Sequence, residues 1–443
     1  MHDERTIAAV ATAVGVGALA VVRMSGAQAK QVAQAACPGW APVARRASLV
    51  RVQDAHGRVL DECVGTWFAA PASFTGEDVV ELCCHGGPLV TQLVLERLLE
   101  CGASPAEPGE FSRRAFERGK LDLTQAEAVM DIISAGSEAA LRAAQNQLQG
   151  GISRPVLAAV DKLLEVAAHI EAYIDFPEED ITPHTQSRLS AALGEVAASL
   201  RRLLSTAEQG RYLREGIRTA IVGAPNVGKS SLLNSLLGYE RAIVSPTAGT
   251  TRDTVEEFAS LGGLRLRLVD TAGLHDSEDS LEQSGMERSI RAWQGADLVL
   301  QVADAARAPE PLPSVDATAP HLLVLNKCDL PEHPAWQGRE AVRISCRTGQ
   351  GLPELAAAVQ RLFLSQCGAE ADTPAAINTR HRYALQQALD ALAAAGAALE
   401  QGCAPELISV DLRAALDSLG SITGHVDTED ILSKLFSTFC LGK

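Results

Sequence analysis

Residues 223–231 read GAPNVGKSS. The spacing Gly223-x4-Gly228-Lys229-Ser230 is that of a phosphate-binding loop. It lies between an apolar strand pattern (TAIV) and a helical one (SSLLNSLLG), the context such a loop needs. Backbone N–H groups in this arrangement wrap a β-phosphate, the Lys229 ammonium reaches the β- and γ-oxygens, and the Ser230 hydroxyl is a ligand for Mg²⁺. Asn226, Val227, Gly228, Lys229, Ser230 and Ser231 are therefore the candidate phosphate-contacting residues.

Three further motifs follow in order, each at the end of an apolar strand pattern. Asp270, Thr271, Ala272 and Gly273 (DTAG) put a carboxylate where Mg²⁺ is held and an N–H where a γ-phosphate lies. Asn326, Lys327 and Asp329 belong to NKCD. The Asp329 carboxylate can accept both the ring N–H and the exocyclic amine of guanine, a donor pair that adenine lacks, so the wrong base leaves a buried acceptor unpaired. Ser345 and Cys346 open SCRTG, which matches a second base-contact loop. The set implies a guanine-nucleotide-binding domain with GTP hydrolysis as its default activity.

Two residues refine that reading. Leu274 follows DTAG where small GTPases carry a water-orienting glutamine, and it cannot hydrogen-bond; the hydrolytic apparatus must lie elsewhere. Glu282 is a candidate; the alternative is a solvated carboxylate in an acidic loop. AGTTRD (248–253) supplies Thr251 as a second Mg²⁺ ligand. The Asn226 amide offers a hard oxygen suited to a monovalent cation, K⁺, that would neutralise developing charge; the alternative is an asparagine that only shapes the loop.

The elements that must position these residues can be read from pattern. The chain has 443 residues, a net charge of −16, 47% hydrophobic and 4% aromatic residues. Such a chain is globular, and it repels bare nucleic acid unless a local basic patch or a second protein intervenes. Ten cysteines show no Cys-x-x-Cys pair and read as reduced thiols. The apolar run 7–22 lacks a basic flank and reads as strand–loop–strand rather than a leader or a membrane span, so a cytoplasmic location is expected. The expected organisation is a multidomain α+β chain. Residues 1–118 form an N-terminal domain of mixed strands and helices. Residues 119–214 and 371–443 form two halves of a discontinuous all-α helical domain. Residues 215–370 form an inserted P-loop α/β G domain with a parallel sheet.

Beyond the nucleotide motifs, SFTGEDVVEL, HGGP, PGEFSRRAFERGKLDLTQAEA, AYIDFPEEDI, GKSSLLNSLLG, GTTRD and the tail FCLGK run through nearly the whole length. With them the chain resembles the MnmE (TrmE) family of tRNA-modification GTPases. The resemblance implies an N-terminal folate-binding-like domain and a homodimer. It also implies a heterotetramer with the flavoprotein MnmG that adds a carboxymethylaminomethyl-type group to the wobble uridine of certain tRNAs, with tRNA held mainly through MnmG and no membrane involved. It implies K⁺ bound by Asn226 and by Ser245, Thr247 and Thr250, G-domain dimerisation across that ion, and Glu282 as catalytic glutamate. It implies a tetrahydrofolate derivative contacted by Arg23, Glu81 and Lys120, with Lys443 at the tail. The loop ATAVGVGAL departs from the family's ATPxGxGGI at Ala13, Val14 and Ala18.

Cys440 in that tail is read two ways: as a thiol made nucleophilic by Lys443, or as an ordinary terminal thiol. The segment before it presents Ile431, Leu435 and Phe439 at helical spacing and is expected to dock on the helical domain. CLGK is not a prenylation signal, and HGGP has no Gly-x-Ser-x-Gly partner, which leaves His85 as a turn residue. The rival function is a regulatory GTPase timer in ribosome or ribonucleoprotein assembly.

Overall fold

The computed structural model describes residues 5–175, 186–239, 257–268, 295–309, 319–364, 377–424, 432, 435–440 and 442. The chain divides into two units, 1–130 with 417–443, and 131–416.

The first unit is built on a six-stranded sheet of order β3-β4-β5-β2-β1-β6. Its strands are β1 (Ile7–Val10), β2 (Leu19–Ser25), β3 (Ser48–Gln53), β4 (Val59–Phe68), β5 (Val79–His85) and β6 (Ser104–Pro105). The apolar run 7–22 is thus a strand, a loop and a strand, as its pattern predicts. The loop between them sends Val14 (98% exposed) and Val16 (92%) into solvent. Alternation along β2 and β5 turns Val22, Met24, Val80, Leu82 and Cys84 to one face, where α1 (Ala29–Ala36) and α2 (Pro88–Glu100) cover them. Pro88 starts α2, where its missing N–H has no partner to lose. Two further helices follow, α3 (Glu110–Glu117) and α4 (Leu123–Ser134).

The tail packs within this unit. Phe436 and Phe439, ring centroids 5.1 Å apart, bury against Leu123 and Ala126 at the start of α4. The expected anchors were Ile431, Leu435 and Phe439. Ile431 lies outside the described residues, Leu435 is half-buried, and Phe436 does the burying, three residues before Phe439 on the same side. Gly109, in the left-handed region at φ 70°, is needed here: a Cβ on it would sit 2.5 Å from the Phe436 carbonyl oxygen.

The second unit carries helices α5 (Glu138–Leu148), α6 (Ser153–Asp175), α7 (Gln186–Ser205) and α8 (Ala207–Glu215), and, after the nucleotide motifs, Thr379–Glu400 and the start of Pro405–Thr423. The α7 helix packs on both α6 and Thr379–Glu400. Arg413 of the last helix reaches Glu171 of α6 at 2.7 Å. Helices from before and after the inserted domain therefore form one layer, as a discontinuous helical domain requires.

The inserted domain has a sheet of order β12-β11-β10-β7-β9-β8. Strands β7 (Ile217–Val222), β9 (Leu264–Leu268), β10 (Leu298–Asp304), β11 (His321–Asn326) and β12 (Val342–Arg343) run parallel. Strand β8 (Glu257–Leu261) does not: it pairs antiparallel with β9. The five strands expected in a parallel sheet are parallel, and β8 is an edge strand beyond that expectation. The edge hairpin arises at Gly262 and Gly263, both in the left-handed region (φ 60° and 72°), the geometry of a two-residue type I′ turn.

Candidate nucleotide site

Strand β7 ends at Val222, and helix α9 (Lys229–Tyr239) begins at Lys229, so residues 223–228 form the phosphate loop between them. Two glycines are required by close approach. A Cβ on Gly223 would lie 2.2 Å from the Val302 carbonyl oxygen, and one on Gly228 would lie 2.2 Å from Asn326 Nδ2. Asn226 adopts φ 64°, a left-handed turn that asparagine tolerates better than most residues.

Lys229 folds back over the loop and donates from Nζ to the carbonyls of Gly223 (3.0 Å) and Ala224 (2.8 Å). Burial holds its ammonium below the usual lysine value, because those neutral acceptors do not offset lost hydration. A polyanion in the loop would restore that balance.

Strands β10 and β11 end side by side, Asp304 opposite Asn326. Asn326 is 3% exposed and ties the loops together. Its Nδ2 donates to the Val227 carbonyl (3.0 Å), and its Oδ1 accepts from the Cys346 backbone N–H (3.1 Å). The base motif and the SCRTG loop thus meet at the carboxyl ends of neighbouring strands, where open α/β sheets bind ligands. Ser345 is fully buried and donates its hydroxyl to Asp329 Oδ1. Arg347 donates from Nε and Nη2 to Asp329 Oδ2. These hydrogen bonds, Ser345 first and Arg347 second, hold the Asp329 carboxyl below the usual carboxylate value. A guanine presenting two N–H groups would find the anion it needs.

Sequence reasoning missed Arg347 and Asp304. Arg347 stands inside a motif read for its serine and cysteine. Asp304 ends β10 (LVLQVAD), and no spacing in the sequence marks it out. Ser245, Thr247, Thr250, Thr251, Asp270, Thr271, Ala272, Gly273, Glu282 and Lys443 lie outside the described residues.

The first unit holds the second candidate cluster. Register places Arg23 of β2 directly opposite Glu81 of β5. Arg23 Nε and Nη2 lie 2.9 and 2.8 Å from Glu81 Oε1. The guanidinium also lies 5.7 Å from the Phe74 ring centre and 5.8 Å from that of Phe111. Lys120 is exposed beyond α3, and its Cγ would lie 3.4 Å from a Cβ on Gly76, in the loop that carries Phe74. The Gly442 carbonyl comes within 3.5 Å of Arg23 Nη1, and Cys440, exposed, accepts at its carbonyl from the Gly109 N–H (3.4 Å).

Among the described residues no group of His, Cys, Asp and Glu is arranged to hold a metal, and no helix is long and apolar enough to cross a membrane.

Comparison with known proteins gives consistent matches along the length. A family model described as the GTP-binding protein TrmE N-terminus matches residues 6–120, and one described as the MnmE helical domain matches residues 123–440. The chain is 55% identical over 445 residues to a tRNA modification GTPase MnmE from Akkermansia muciniphila, covering 99% of each chain. Proteins of the same description from Opitutus terrae and Chloroflexus aurantiacus are each 45% identical, over 99% of both chains and 100% of both chains respectively.

Proposed function

The chain belongs to the MnmE family of tRNA modification GTPases, and from that premise we propose that it binds and hydrolyses GTP to drive modification of the wobble uridine of certain tRNAs. The observation that carries this is the convergence on Asn326: one buried amide ties the phosphate loop to the base-recognition loops. That coupling suits a site that must hold phosphate and guanine at once.

Each residue has a chemical task. Loop N–H groups and Lys229 bind the phosphates and neutralise charge that builds up on them. Asp329 accepts from guanine, with Ser345 holding its carboxylate in place. Ser230, with Thr251 and Asp270, would hold Mg²⁺, which supplies charge neutralisation between the β- and γ-phosphates. The Asn226 side chain is exposed and makes no hydrogen bond among the described residues, so its amide oxygen is available as a hard ligand for K⁺. Ser245, Thr247 and Thr250 complete that set, and Glu282 is the proposed water-orienting group.

The Arg23–Glu81 pair, with the part-exposed Phe74 beside it, offers cation, carboxylate and aromatic surface. That donor set fits a reduced folate: guanidinium and Lys120 ammonium for its carboxylates, Glu81 for the amino–imino edge of the pterin. We further propose a homodimer that works with the flavoprotein MnmG. The tail that carries exposed Cys440 is tied to Gly109 through the Cys440 carbonyl and lies by Arg23 through the Gly442 carbonyl, which supports a role for the Cys440 thiol in the modification step.

Mass spectrometry of wobble nucleosides tests this reading against an assembly timer. Deleting the protein should abolish the carboxymethylaminomethyl-type uridine and leave ribosome profiles intact. Normal wobble uridines with accumulated ribosome precursors would establish the timer instead.

A further inference from the structure

We propose that Asp304 is a positioning residue of the nucleotide site, acting through Lys327 on the phosphate loop; this rests on the guanine-nucleotide reading above. Asp304 closes β10 and is 6% exposed. Its Oδ1 accepts from the Ala306 N–H at 2.9 Å, and its Oδ2 accepts from Lys327 Nζ at 2.7 Å. The same ammonium donates at 3.1 Å to the backbone carbonyl of Asn226. Arg307, 3.7 Å from Oδ2, is a weaker second cation.

The residue that carries that ammonium and the one whose carbonyl receives it both have left-handed backbone. Lys327 sits at φ 68° and Asn226 at φ 64°. Left-handed backbone persists at non-glycine residues only where the surroundings over-determine it. Here one side chain joins the two turns, and the anion behind it fixes where that side chain goes. The Lys327 side chain is still 34% exposed. With a neutral partner its ammonium would be better hydrated than bonded to a single carbonyl, and the tie to Asn226 would go with it. Asp304 therefore sets the register between the loop that recognises the base and the loop that holds the phosphates, without touching the nucleotide.

The bland alternative is that Asp304 only caps the strand end through Ala306. Asp304→Asn separates the two roles, since it keeps the cap acceptor and loses the charge. The probe is a fluorescent GDP analogue, titrated into the full chain and its variants, with thermal unfolding as the check on folding. Asp304→Asn should bind about tenfold more weakly, the scale of one charge-assisted hydrogen bond. Lys327→Met should lose at least as much. The double variant should bind no more weakly than Lys327→Met alone, because both changes break one linkage. Penalties that add, or an Asp304→Asn protein that binds like the parent, would overturn the inference. If Asp304→Asn does not fold, Asp304→Ser keeps the turn acceptor, and unchanged affinity in Lys327→Met overturns the inference independently. A parent that binds no guanine nucleotide defeats the site reading itself, whereas a binding parent with an indifferent Asp304→Asn defeats only this step.

Discussion

Gly228 leaves no room for any side chain: a Cβ would meet Asn326 Nδ2 at 2.2 Å, and the backbone sits at φ 100°. Gly228→Ala must move Asn326, and with it both loops that Asn326 ties. Nucleotide affinity should fall at least a hundredfold in a titration with fluorescent GDP, on the scale of about 3 kcal/mol for a buried hydrogen-bond linkage broken with strain. Asp329 yields a pH prediction. It must be ionised to accept from guanine, and its folded value lies below the ordinary one. Affinity should therefore stay flat as pH falls toward about 5 and drop only below the usual carboxylate range of roughly 4. Arg347→Ala should move that acid limb upward. The thiols make a third contrast. Burial pushes Cys37 up to about 12, and Cys84 is raised first by its side-chain hydrogen bond with Cys63 and then by burial. Iodoacetamide at neutral pH should label exposed Cys440 and spare Cys37 and Cys84 until the protein unfolds, as read by peptide mass spectrometry. The residues proposed to meet phosphate and base could be named from the sequence because glycines, a lysine and an aspartate at fixed spacing leave little choice of chemistry. Arg347 and Asp304 could not, since they act on other side chains across strands and leave no spacing in the sequence.

At the scale of elements, α3 and the loop before β5 are joined by buried charge. Arg114 (5% exposed) bridges Glu110 Oε1 at 2.7 Å and Glu77 Oε2 at 3.1 Å, and Ser25 donates to Glu77 at 2.7 Å. Removing Arg114 takes the buried cation away from Glu110 and leaves Glu77 with Arg118, 2.6 Å from its Oε1, as its remaining cation. Arg114→Met should cost about 3–5 kcal/mol in chemical or thermal unfolding. Arg142→Met breaks an exposed pair with Glu138 one turn away on α5, and should cost less than about 1 kcal/mol. The run EFSRRAFERGK is visibly helical and amphipathic, yet nothing in it says which arginine is buried: that depends on Glu77, far away in sequence. The same limit explains β8. The Gly262–Gly263 pair was a hairpin signal, but an edge strand of five residues following a parallel-sheet expectation was read past. The tail shows the converse. Helical spacing pointed to docking, and among the described residues of the tail Phe436 and Phe439 supply the buried contact.

At the scale of the whole molecule, a net charge of −16 sets the terms for any polyanionic substrate. Counter-ion release, the main source of nucleic-acid affinity, needs clustered cations that this composition does not supply. On the proposed reading the chain alone should bind tRNA weakly in a gel-shift titration, and a complex with the flavoprotein partner should bind tightly and lose affinity steeply as salt rises. The central claim, that this is a guanine-nucleotide enzyme whose specificity rests on Asp329, has a more direct test. Asp329→Asn replaces a double acceptor with an amide that can donate to the 2-oxo group of xanthine. Phosphate release should be measured from GTP, ATP and XTP with parent and variant. The parent should hydrolyse GTP and leave ATP and XTP essentially untouched, and Asp329→Asn should lose GTP turnover and gain XTP turnover. A parent that hydrolyses ATP as readily as GTP, or an Asp329→Asn variant that keeps its preference for GTP, would contradict the account.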